Sequence, residues 1–146
     1  MVSFRRVEQA IMQGEMLFVG SPAIFSVDSP DGRRSSFFED DEDTGYFYAL
    51  DLLRTPDRIL DAVQIYNVAN VVARDRPSQV DILWSKDGSK CALLINDYPH
   101  AAFDFSARRG YCRTNFPNFK NPEDGSWVTD DHSWSDEAVS WLWLGD

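Results

Sequence analysis

The chain has 146 residues, of which 43% are hydrophobic and 26% charged, and its 24 acidic against 14 basic residues give a formal net charge of −10. This composition excludes a disordered chain, and one domain of this length buries a core without metal or disulfide staples. The charge sets the chain against phosphate backbones and anionic membranes, and it fits a basic protein partner or plain solubility.

Aromatic residues at 14% favour a sheet-rich core. Two cysteines, Cys91 and Cys112, are too few for a disulfide scaffold or a zinc cluster. No stretch approaches the roughly 18 apolar residues of a membrane-spanning helix or offers a signal-peptide core. The expectation is a cytoplasmic, single-domain protein over 1–146 with no cofactor and no metal.

In chain order, Phe4, Val7 and Ile11 fall at helical spacing between a capping Ser3 and a stopping Gly14, predicting a helix over residues 3–13. Two short apolar runs follow, broken at Gly20–Pro22, and read as strands or one bent strand. Aromatic runs on both sides of "EDDEDTG" predict a hairpin with Glu39 and Asp41 on the face of Tyr46 and Tyr48, and Asp40 on the other. Ile59, Val63 and Tyr66 fit a helix, while Val63, Ile65, Tyr66 and Val68 suit a strand; a strand is expected around Ala62–Asn67, with a helical turn before it as an option.

"QVDILWSKDGSKCALLIN" holds two β-rich runs around Asp87-Gly88, the dipeptide favoured in type I′ hairpins. Further turns read at Asp97–His100 and Ala107–Gly110 complete a four-strand meander. Those turns place Ile82 opposite Leu93, Trp84 opposite Cys91, Leu94 opposite Phe103 and Asp104 opposite Arg113. One face then carries Leu83, Ala92, Leu94, Phe103, Phe105 and Cys112 as core. The other begins apolar with Ile82, Trp84, Leu93 and Ile95 and ends polar with Asp104, Tyr111, Arg113 and Asn115. The cysteines fall on opposite faces, and Asp104 and Arg113 form a cross-strand ion pair. The tail has four of the five Trp and no Lys or Arg after Asn121. Ser133 and Asp136 resemble a capping box, with Trp134, Ala138 and Trp141 at helical spacing; "VSWLWL" alternates as a strand would. The fold class is α+β, mostly β: an antiparallel meander with a short N-terminal helix and a C-terminal helix as an option.

Three residue groups carry candidate chemistry. Asp97, His100 and Asp104 combine an imidazole with carboxylates, the makings of general acid–base work, although turn chemistry accounts for Asp97 and His100 equally. Tyr98, Tyr111, Arg113 and Asn115 would line a ligand pocket beside them, with Arg113 holding an anion. Glu39, Asp40, Asp41 and Asp43, with Trp134 from the acidic tail, offer an acid–aromatic surface to a basic partner; a solvated turn and simple packing are the alternatives. No Gly-x-Ser-x-Gly, P-loop, Gly-x-Gly-x-x-Gly, His-Glu-x-x-His or Cys-x-x-Cys motif is present.

The runs "FFEDDEDTGYFYALD", "ILDAVQIYNV" and "ALLINDYPHAAFDFSARRGYCRTNFP" together resemble an uncharacterised family of small bacterial proteins known as a domain of unknown function. The resemblance covers about residues 36–134, with Asn-Asp-Tyr-Pro-His and Gly-Tyr-Cys-Arg its most specific segments. It implies a bacterial origin and one compact domain, and carries no activity or catalytic residue with it.

Two functional expectations stand side by side. One is a non-enzymatic acidic binding module, of immunity or regulatory type, for a basic protein. The other is a small enzyme or ligand binder using His100, Asp104 and Arg113. A homodimer through the Ile82, Trp84, Leu93 and Ile95 face is a third arrangement.

Overall fold

A computed structural model describes residues 9–54, 58–114, 127 and 132–143. Among these residues nine strands form two antiparallel sheets: β1 (Gln9–Leu17), β2 (Ala23–Asp28), β3 (Arg34–Asp40), β4 (Thr44–Asp51), β5 (Ile59–Asn67), β6 (Ser78–Ser85), β7 (Lys90–Ile95), β8 (Tyr98–Asp104) and β9 (Arg109–Cys112). One sheet has the order β1-β6-β7-β8-β9 and the other β2-β3-β4-β5. Residues 9–13 of the expected N-terminal helix are strand, and the rest of it lies outside the described residues. Gly14, read as a helix stop, sits mid-strand opposite Asp81.

The sheets pack face to face through alternating side chains. Phe38, Phe47, Ala49 and Val63 of the four-stranded sheet meet Ile82, Trp84, Leu93 and Phe103 of the other, all essentially inaccessible to solvent. Phe47 and Phe103 stack with centroids 4.9 Å apart. The Trp84 indole N–H donates to the Val27 carbonyl across the interface at 2.8 Å. Each of the Val, Leu, Ile and Phe side chains contributes about 1.5–3 kcal/mol by leaving water. The apolar face that suggested a homodimer is therefore covered by the second sheet of the same chain.

The meander β6–β9 exists, but its turns differ from the expectation. The first register holds, with Ile82 opposite Leu93 and Trp84 opposite Cys91. Its turn is not type I′, which needs positive φ at both central residues; only Gly88 has it, at +72°. The second turn is Asn96-Asp97, with φ of +52° and +66°, not Asp97–His100. Asn and Asp tolerate this left-handed region better than other side chains, and Ile95 and Tyr98 pair around them. Two positions on, Leu94 opposes Pro99 while Leu93 opposes Ala101, so His100 is the extra residue of a β-bulge.

The turn and the bulge together move β8 by an odd number of residues against β7. Cys91, not Leu94, faces Phe103. An odd shift reverses the faces. Phe103, Phe105 and Cys112 therefore join the inter-sheet core, and Ala102 joins Leu83, Ala92 and Leu94 on the outer face. Both cysteines thus lie on the same face, correcting the opposite-face expectation. They are not bonded to each other, because β8 runs between their strands, a separation of about 9–10 Å that no disulfide spans. The expected Asp104–Arg113 ion pair does not form. Asp104 opposes Arg109, and its Oδ1 accepts the Ala107 N–H at 3.0 Å to close the last turn.

The outer face of the five-stranded sheet is covered by a 3-10 helix, Asp136–Trp143. The capping box is absent: Ser133 Oγ accepts from Arg109, and Asp136 Oδ1 accepts the Trp134 indole N–H. A helix with three residues per turn stacks positions three apart. Val139 and Leu142 are accordingly buried on Leu83, Ala92 and Leu94, while Trp134 and Ala138 pack at the margin.

Burial pushes the Cys91 thiol up to about 12. A Cys112→Ser variant, leaving Cys91 as the sole thiol, should therefore ignore a disulfide reagent at about pH 8 while folded and react fully in denaturant. Rapid labelling of the native variant would contradict the burial described here.

Candidate functional site

The sequence candidates separate into three places. The first is the β7–β8 end of the larger sheet. The bulge turns His100 there, and its Nδ1–H donates to the Tyr98 carbonyl at 2.8 Å. The Tyr98 and His100 rings meet edge-on at 5.5 Å. The Arg113 guanidinium lies 4.5 Å from the Tyr98 centroid and 3.9 Å from that of Trp134. Its Nε–H donates to the Pro99 carbonyl at 2.9 Å. Arg113 is thereby an aromatic-clamped brace holding the chain after β9 against β8.

Burial, followed by the charge of Arg113, holds the His100 imidazole below its ordinary value, against the pull of the Tyr98 carbonyl. Asp97 is exposed in the turn. Asp104 lies four residues along β8 from His100, about 13 Å at strand rise. The acid–base trio read from sequence is thus not assembled. Tyr111 stands under Arg109, whose guanidinium is 4.7 Å from its ring. Asn115 lies outside the described residues. Trp134, read as part of a partner surface with the acidic turn, belongs instead to the Arg113 clamp.

The second place is the β3–β4 hairpin. Asp40 points inward and is 1% exposed. Its carboxylate accepts from the Tyr66 hydroxyl at 2.6 Å, the Gly20 N–H at 2.8 Å and the Glu42 N–H at 2.9 Å. Gly45 permits this, since a Cβ there would come within 2.6 Å of the Tyr66 ring. Burial and the bond to Asp40 both raise the Tyr66 phenol. Asp40 is therefore a structural acceptor, unavailable to a partner. Asp41 accepts the Asp43 and Thr44 N–H groups, fixing a tight turn that leaves Asp41, Glu42 and Asp43 exposed. On the outer face, Phe37 stacks on Tyr48 at 4.3 Å, Tyr46 stands 6.0 Å from Tyr48, and the Tyr48 hydroxyl donates to Glu39 at 3.0 Å. Glu39, Tyr46 and Tyr48 share a face as the alternation predicted.

The third place was not read from sequence. Asp61 of β5 and His132 are both fully buried, with His132 Nε2 2.9 and 3.0 Å from the two carboxylate oxygens. Facing a carboxylate, Nε2 carries the proton. The pair sits where edge strands β5 and β9 meet. Gly110 of β9 leaves room for it, since a Cβ would lie 2.5 Å from Asp61 Oδ2. The Cys112 N–H donates to the His132 carbonyl and the Trp127 N–H to the Leu60 carbonyl, each at 2.9 Å. Sealed from solvent, the pair ties the chain around His132 to the sandwich; it offers a substrate no approach. An acid at an inward strand position within "ILDAV" is the one sequence signal that could have revealed it. Among the described residues no group of three or more His, Cys, Asp or Glu could hold a metal. No helix among them is long and apolar enough to cross a membrane.

Two measurements check this geometry. His132→Ala strips the buried Asp61 carboxylate of its donor and should cost about 3–5 kcal/mol in urea unfolding; a loss under about 1 kcal/mol would contradict a buried polar tie. His100 should titrate by NMR below about 6.5, and Arg113→Gln should raise its midpoint. Folded, this imidazole binds fewer protons than unfolded. Its contribution to stability is therefore complete above about pH 6.5 and declines as pH falls toward the folded value.

A profile of a bacterial family, described as an uncharacterized protein conserved in bacteria (DUF2251), matches residues 17–143. A protein of Haemophilus influenzae, named only as an uncharacterized protein, is 35% identical over 127 residues, covering 86% of this chain and 77% of that one. No solved structure matches. With most of both sheets inside the matched span, the chain belongs to this bacterial family of uncharacterized proteins, DUF2251.

Proposed function

We propose that the protein is a non-enzymatic binding module for a basic protein partner, of immunity or regulatory type. The observation that carries this reading is the outer face of the four-stranded sheet. There Phe37, Tyr48 and Tyr46 form a ring ladder beside Glu39, at the foot of the exposed Asp41–Asp43 turn. Half-buried aromatic rings give contact area at low entropic cost, and flanking carboxylates favour lysine and arginine. Within a net charge of −10, such a face accelerates encounter with a cationic surface. Two buried cysteines held too far apart to pair with each other support a cytoplasmic setting.

The test is capture from the native host at low salt, with wild-type protein and a Glu42→Lys/Asp43→Lys/Tyr48→Ala variant as baits. Wild type should retain a basic protein that the folded variant loses by at least about tenfold, and added salt should release it. Equal retention by both baits would remove the face from the binding site.

A further inference from the structure

Among the described residues the smaller sheet has a sealed edge and an open one. On the β5 side, Leu60 and Gln64 carbonyls accept the Trp127 N–H and the Thr114 hydroxyl. The opposite edge is β2. The Ser29 N–H donates to the Arg34 carbonyl at 2.8 Å, which fixes the alternation of the β2–β3 ladder. Ala23, Phe25 and Val27 bond β3, so Ile24, Ser26 and Asp28 turn their N–H and C=O groups outward. All three residues are exposed, Ile24 by 64%. Among the described residues no hydrogen bond reaches those groups from outside.

Sheet edges are ordinarily guarded by bulges, prolines or lysines. The other sheet's edge strand β1 carries a bulge between Gln9 and Ile11. β2, "AIFSVD", pairs without a shift and has no proline or lysine. Acids surround it. Asp28 lies on it, Glu39 stands opposite Ile24, and the Asp41–Asp43 turn follows Asp40, the partner of Ala23. The nearby cations are Arg34, engaged by the Gly88 carbonyl and the Phe105 ring, and Arg33 beyond the Asp28 end.

We infer that β2 takes an extended, basic segment of the partner by strand addition, an inference resting on the proposed binding function and naming how that partner docks. The incoming main chain bonds Ile24, Ser26 and Asp28. Its lysine or arginine side chains on the outer face reach over Ile24 toward Glu39 and the Asp41–Asp43 turn. A second copy of this chain is disfavoured as occupant, because both would carry a net charge of −10.

The probe is a short synthetic peptide alternating lysine and valine, added to the full chain, with amide exchange followed by NMR. Ile24, Ser26 and Asp28 amides should slow by at least about tenfold on saturation, with Phe25 and Val27 unchanged. Ser26→Pro removes an outward N–H that the fold does not use and should abolish binding. A peptide N-methylated along its pairing edge keeps its charge and should also fail, which tests the idea even if Ser26→Pro does not fold. Unprotected edge amides at saturation, full binding by the methylated peptide, or no binding at all would overturn strand addition. Protection that appears without peptide and rises with protein concentration would overturn it in favour of a second copy. Failure here with variant-sensitive capture from the host would leave the aromatic–acidic face intact as the binding site.

Discussion

The architecture of the larger sheet hangs on one residue's worth of register in β8. Side chains alternate, so a single extra residue exchanges core for surface along everything that follows. His100 is that residue. With it, Phe103 reaches Phe47 and Phe105 reaches Trp84 and Trp127. Were His100 paired in the ladder opposite Leu93 instead of bulged, both phenylalanines would face the 3-10 helix, and His100, Ala102 and Asp104 would line the inner wall. The small residues of β8, Ala101 and Ala102, fit the two sides the bulge assigns them: one under the second sheet, one under Val139 and Leu142. His100 is thus explained first by backbone geometry, and its low-lying titration follows from being turned into a half-buried position beside Arg113.

A sandwich of two sheets must also close its sides. At the β5–β9 side, closure is polar: a carboxylate–imidazole pair at the centre, main-chain bonds from Cys112 and Trp127, and the Trp127 ring against Phe103 and Phe105. Burying Asp61 costs free energy that only a well-placed donor offsets. The pair therefore specifies where the chain near His132 must lie more than it adds net stability. Arg113, clamped by Tyr98 and Trp134, does the same job further along, with a charge stacked on rings in place of an ion pair.

Much of this was legible locally and little of it non-locally. The β3–β4 hairpin and the β6–β7 register follow from alternation and from acid- and glycine-rich turns, and both are as read; β5 is a strand as expected but begins earlier, at Ile59, where a helical turn was an option. The β8 register was not legible, because Asp97–His100 contains a proline that looks like a turn residue. Pro99 is instead a strand residue beside a bulge, where a missing N–H is tolerated. Once that turn is misplaced, the polar residues of β8 and β9 regroup into a plausible but unreal site. The relation within β8–β9 survived the error: Phe103, Phe105 and Cys112 do share a face, on the other side of the sheet. The Asp61–His132 pair joins residues far apart in the chain, and no local pattern encodes it.

The carboxylates of the β3–β4 hairpin show why composition alone misjudges an acidic run. Five consecutive acids look like one surface feature. The strand divides them: Asp40 turns inward to hold Tyr66 and the Gly20 backbone, Glu39 turns outward to Tyr48, and Asp41 folds the turn. Only Glu42 and Asp43 have no such structural bond among the described residues. The acidity left exposed is therefore smaller than the run suggests. It lies beside a ring ladder and a strand edge that no described residue pairs, so charge, aromatic area and main-chain hydrogen-bonding groups converge on one side of the smaller sheet. Charge alone would select any cation. The ladder and the edge are what would make the selection depend on shape.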